Sequence, residues 1–139
     1  MSATRAARTR PQIHMIDTEA ERLSELALNI ETAMPQVSEL LLRETTRAKT
    51  HRAATMPADV VTMGAEVEFR DEASGVTRTV TLAWPQDADI AVGRISILTP
   101  IGAGLIGLGE GQQILWPDRD GRERNLTIVR VSQPAAAAR

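Results

Sequence analysis

Cysteine is absent from the 139 residues. That excludes disulfides, thiolate catalysis and cysteine-ligated zinc, and it fits a reducing compartment such as the cytoplasm. Tyrosine is absent too, and Phe69, Trp84 and Trp116 are the only aromatic rings. The core must therefore be aliphatic, and no array of exposed rings is available on which single-stranded nucleic acid could stack. No apolar run approaches the ~20 residues that a membrane helix needs. The net charge of −2 gives no excess of base with which to bind a phosphate backbone. Direct sequence-specific binding to nucleic acid is not expected. What is present is 42% apolar residues, enough for one domain, or for one small domain with a helical appendage.

Charge is unevenly placed. Residues 1–16 hold Arg5, Arg8 and Arg10 and no acid, while the remainder is acidic on balance. No apolar stretch follows these arginines, so they are not the start of a secretory signal. Residues 1–16 read as a disordered basic tail.

Residues 17–53 read as a helical hairpin. Thr18-Glu19-Ala20-Glu21 matches a capping box, and Ile16, Ala20, Leu23, Ala27, Ile30 and Met34 form a short heptad seam over a helix at 18–34. Pro35 must end or interrupt that helix. Val37, Leu40, Leu41, Glu44 and Ala48 suggest a second helix over 36–50, antiparallel to the first in a short coiled coil. The alternative is a helical pair folded onto the following domain as ordinary core. Thr50–Pro57 reads as a polar linker.

Residues 54–133 change period. Ala65, Val67 and Phe69 alternate with charged residues, and Val80, Leu82 and Trp84 alternate with Thr79, Thr81 and Ala83, which predicts a hairpin turned at Asp71–Gly75. Ile95–Leu98 reads as a strand. Thr99-Pro100 opens a short helix to about Leu108. Strands follow at Gln113–Trp116 and around Leu126–Val131, joined by an Asp118–Gly121 turn. Residues 134–139 read as a frayed tail. The fold class is α+β: a helical hairpin, then an antiparallel sheet domain with one short helix.

Candidate chemistry is sparse. Gly102-Ala103-Gly104-Leu105-Ile106-Gly107 spells G-x-G-x-x-G, but Pro117 arrives too soon for a dinucleotide-binding βαβ unit. The glycines instead suit a helix packed closely on a sheet. His14 and His51 have no partner at metal-ligand spacing and read as solvated surface. Ser24, Ser38, Ser74, Ser96 and Ser132 lack a nucleophile context. The Asp87/Asp89 and Asp118/Asp120 pairs read as solvated loop charges. Glu31, with Asn29 and Thr32 beside it, falls near the hairpin tip. No cofactor, metal or catalytic constellation is expected.

Two stretches carry a resemblance. Met56-Pro57-Ala58-Asp59-Val60-Val61-Thr62-Met63-Gly64-Ala65-Glu66-Val67-Glu68-Phe69 and the segment from Ala91 to Gln112, with Thr99-Pro100-Ile101-Gly102 and Leu105-Ile106-Gly107 inside it, resemble the C-terminal domain of the Gre transcription factors. The first stretch is closer to the branch named for regulation of nucleoside diphosphate kinase. The resemblance implies an N-terminal coiled coil and an FKBP-like C-terminal domain. It also implies a partner, bacterial RNA polymerase. There the C-terminal domain would dock on the rim of the secondary channel and the coiled coil would point inward.

In cleavage-stimulating members of the family, acids at a long coiled-coil tip help hold a metal at the polymerase active site. Here the arms are much shorter and a clear pair of tip acids is lacking. The expectation is therefore a monomeric, cytoplasmic, non-enzymatic regulator that occupies the rim and competes with Gre factors without stimulating transcript cleavage. Any effect on nucleoside diphosphate kinase would be indirect. By the resemblance, Thr99, Pro100 and Ile101 are rim contacts, with a helix cap and core anchor as the equal alternative. Asp87 and Asp89 would face basic residues of the polymerase. The competing expectations are a cleavage factor acting through Glu31 and a prolyl isomerase suggested by the FKBP-like fold; an isomerase pocket normally needs more aromatics than three.

Overall fold

The computed structural model describes residues 12–117 and 123–133. A short strand β1 (His14–Ile16) leads into helix α1 (Asp17–Asn29), followed by helix α2 (Pro35–Arg47) and strand β2 (Lys49–His51). Then come β3 (Glu66–Asp71), β4 (Thr77–Ala83), β5 (Arg94–Ser96), helix α3 (Pro100–Leu105), β6 (Gln113–Pro117) and β7 (Glu123–Ser132).

The helices form where the apolar spacing demands. Ala20, Leu23 and Ala27 are the buried stripe of α1; Val37, Ser38 and Leu41 face them from α2. Ser38 is a small polar residue at this seam, and its hydroxyl donates to the Ala27 carbonyl at 2.7 Å, so its burial leaves no unpaired group. Two expectations need correction. The first helix ends at Asn29 rather than Met34, because Pro35 serves as the first residue of α2, where its missing N–H costs nothing. The capping box does not form either. Ile16 is the N-cap and gives no side-chain bond, while the Asp17 carboxylate accepts from the Thr18 amide at 2.7 Å.

The main sheet has the order β5-β4-β3-β7-β6. Its β3/β4, β3/β7 and β6/β7 pairs are antiparallel. The β4/β5 pair is parallel, so the sheet is mixed rather than purely antiparallel. The physical reason lies between them: residues 84–93 contain two one-turn helices, which carry the chain back to re-enter in the same direction. Opposite Glu68/Phe69 the β7 register slips by one residue. This bulge lets Ile128 and Val131, three apart, both face inward while Val129 turns out.

One continuous core runs through the molecule. Leu23 and Leu41 of the helices join Val61, Val67, Leu82, Ile97, Leu105 and Ile128, all at 0–1% exposure. The helical pair thus shares one core with the sheet domain, packed on the β1/β2 ribbon and α3, rather than standing clear of it. The N-terminal tail also needs correction. Ile13 and Met15 are 0% and 1% exposed, and β1 pairs in parallel with β2, so the expected linker is in part a strand. The first eleven residues, the Asp118–Gly121 turn with Asp118/Asp120, and residues 134–139 lie outside the described residues.

Candidate interaction surface

Strand β5 lies at one edge of the sheet; Asp89 pairs with Arg94 at its start, and Thr99, Pro100 and Ile101 follow its end. At the far end, the Thr99 hydroxyl accepts from the Gly102 amide at 3.1 Å and donates to the Ser96 carbonyl at 2.8 Å. Thr99 is therefore the helix cap. Ile101 is half-buried against the core, and Pro100 between them is exposed. Of the three residues, Pro100 alone offers its ring freely to a partner.

At the near end, Asp87 and Asp89 are both exposed. The Asp89 carboxylate accepts from the Ala91 amide at 3.1 Å and caps a one-turn helix, Ile90–Val92. Backbone bonds of 2.9 and 3.0 Å between Asp89 and Arg94 close the loop, and Thr81 N–H donates to the Gly93 carbonyl at 2.8 Å, fastening it to β4. This held loop carries Ile90 at 83% exposure and Val92 at 62%. Sequence reasoning passed over both. The available signal was two branched apolar residues directly after the Asp87/Asp89 loop charges.

The helical pair places its own candidates differently. Glu31 is exposed in the turn between the helices, and Asn29 at the end of α1 shares a shallow groove with Trp84, Pro85 and Gln86. In that groove the Arg22 guanidinium lies 4.1 Å from the centre of the Trp84 ring, a cation–π contact. Among the described residues, no group of three His, Cys, Asp or Glu could hold a metal ion.

Glu19, rather than Glu21, makes the long-range bond of α1: its carboxylate accepts from the Met63 amide at 3.1 Å. Burial pushes its pKa up, and the Met63 N–H and Arg22 only partly offset this. A raised carboxylate pKa favours the folded state at low pH, and that stability is lost as pH rises through the folded value. Glu19→Gln, which keeps the acceptor and removes the charge, is expected to leave neutral-pH stability within about 1 kcal/mol of wild type. Glu19→Ala orphans the Met63 amide and is expected to cost about 1–2 kcal/mol in urea unfolding.

His14 and His51, expected to be separate and solvated, meet. His14 Nδ1 is 2.9 Å from His51 Nε2, because the β1/β2 register brings the two strands side by side.

Residues 56–133 match the family described as "Transcription elongation factor, GreA/GreB, C-term", and the chain belongs to that family. It is 34% identical to the "Regulator of nucleoside diphosphate kinase" of Escherichia coli strain K12 over 130 residues, 93% of this chain and 96% of that protein. It is 40% identical to transcription elongation factor GreA of Desulfovibrio desulfuricans over 60 residues, 43% of this chain and 37% of that protein. Among solved structures, the transcription elongation factor GreA/GreB from Nitrosomonas europaea superposes with a TM-score of 0.68 at 37% identity, covering 88% of this chain and 99% of that one.

Proposed function

We propose that this protein is a non-enzymatic regulator that binds bacterial RNA polymerase at the rim of its secondary channel and competes there with Gre factors, without stimulating transcript cleavage. In this reading residues 54–133 are an FKBP-like docking domain and residues 17–53 a short helical hairpin. The observation that carries it is the surface flanking β5: exposed Pro100 at one end, exposed Ile90 and Val92 beside Asp87 and Asp89 at the other, all within the segment that matches the family. Apolar groups that stay exposed in a fixed loop suit a partner that buries them. The acids beside them suit a basic rim.

Reach argues against cleavage. Each helix has 13 residues, about 20 Å of axis. Metal-assisted hydrolysis needs a carboxylate placed to within about 1 Å, and among the described residues Glu31 belongs to no group of three acids or histidines that could hold a metal ion. An effect on nucleoside diphosphate kinase would then be indirect, through transcription.

The test is competition between the full-length protein and a Gre factor for purified polymerase. Displacement is the expected result. Pro100→Ala is expected to weaken binding several-fold, and Asp87→Lys combined with Asp89→Asn, which keeps the cap while removing charge, by about tenfold or more. Equal binding by wild type and both variants would overturn the surface assignment, and no displacement at all would overturn the partner. Added to stalled elongation complexes, the protein is expected to leave the RNA length unchanged. Shortening that depends on Glu31 would establish a cleavage factor instead.

A further inference from the structure

The β1/β2 ribbon sits where the two helices begin and end: β1 runs directly into α1, and α2 runs almost directly into β2. It ties three parts together. The Lys49 amide donates to the Ile13 carbonyl at 3.0 Å, and the His14 amide donates to the Gly107 carbonyl at 3.1 Å. Ile13 and Met15 are buried beneath it. On its outer side the two histidine rings stand with centroids 5.0 Å apart and nitrogens 2.9 Å apart. An imidazole nitrogen is about 1.1 Å from its ring centre, so these nitrogens face each other almost along the line joining the rings. That is a hydrogen bond from one ring's N–H to the other's lone pair. It is not a convergence of two lone pairs on a third atom, which a metal would require.

We propose that the His14–His51 pair is a proton-sensitive clasp on the N-terminal strand: closed when at least one ring is neutral, open when both are charged. Two imidazolium rings have four N–H donors and no acceptor between them, so the bond is lost and two positive charges face each other at contact distance. The surroundings favour the neutral form. Lys49 opposes a proton on His14 from across the ribbon, and Asp59 favours one. Asp17 and Glu19 of α1 are engaged elsewhere, on the Thr18 and Met63 amides. The Ile106–Leu108 segment on which β1 rests has no charge. Burial, His51 and Lys49 together hold His14 below histidine's ordinary value near 6.5, outweighing Asp59. The sign follows: the unfolded or released strand takes up protons more readily than the clasped one. The clasp is therefore intact above about pH 6.5 and weakens as pH falls below it.

The experiment is amide hydrogen exchange on the full chain at about pH 7.5 and about pH 5, corrected for the intrinsic pH dependence of exchange. Protection of the Lys49 and His14 amides is expected to fall about tenfold or more at the lower pH. The Val61 amide, bonded to the Leu108 carbonyl at 2.8 Å, should keep its protection. His51→Gln, which hydrogen-bonds without titrating, should shrink the fall at the ribbon amides, leaving only what burial and Lys49 contribute through His14. The proposal is overturned by unchanged protection in wild type, by an equal fall in His51→Gln, or by an equal fall at Val61. Ring-proton NMR of the wild-type chain gives a second reading that needs no variant: coupled titration of the two histidines supports the clasp, and two independent ordinary titrations refute it.

Discussion

Gly102→Ala is expected to destabilise the protein by about 2–3 kcal/mol, lowering the thermal midpoint by roughly 10 °C. A Cβ at this position would lie 2.4 Å from the Ser96 carbonyl oxygen, 3.0 Å from Thr99 Oγ1 and 3.1 Å from Ile97 Cα. Two of those atoms are backbone, so no rotamer change relieves the clash. Residue 102 also donates to the capping Thr99 hydroxyl, so displacing it loosens the helix start that presents Pro100. On the proposed function, the same variant is expected to lose affinity for polymerase along with stability. Circular dichroism melting checks the first effect; a melt indistinguishable from wild type would mean that α3 does not sit this close to the 96–99 turn. The G-x-G-x-x-G pattern thus has a packing explanation: the first glycine admits a carbonyl, and the last, Gly107, admits Ile13, whose Cβ an added methyl would meet at 2.9 Å.

Ile13→Ala is expected to cost about 2–4 kcal/mol, measured by urea denaturation. A fully buried isoleucine under Gly107 has neighbours on every side, and its loss leaves a cavity lined by core residues. If residues before Asp17 formed only a solvated tail, the same change would stay within about 0.5 kcal/mol. The measurement therefore decides between the two readings of this segment.

Much of the fold was legible because its signals are local. The α1 stripe, the alternation of Val67 and Phe69, the Asp71–Gly75 turn and the Thr99-Pro100 helix start each combine a period with a stop or start residue. What was not legible depends on contacts distant in sequence. Ile13 and Met15 alternate with Gln12 and His14 as a strand should, but four residues are too few to outweigh the arginines before them. The parallel β4/β5 pair depends on the path of residues 84–93, which no local pattern specifies. The meeting of His14 with His51 depends on that β1/β2 register alone. In the candidate surface, the types of Pro100, Asp87 and Asp89 were readable, and Thr99 as a cap was too. The exposure of Ile90 and Val92 was not, because branched apolar residues read as core until a capped loop is seen to hold them outward.

The cap around Thr99 has a kinetic consequence. The ring of Pro100 fixes its own φ, and the Thr99 hydroxyl bonded to both Ser96 and Gly102 fixes the residues around it. Engagement by a partner then freezes little that is not already immobile, and the entropic penalty of association at this point is small. On the proposed function, substitutions that spare the cap while trimming the proline should consequently show up in residence time on the polymerase, with the rate of encounter nearly unaltered.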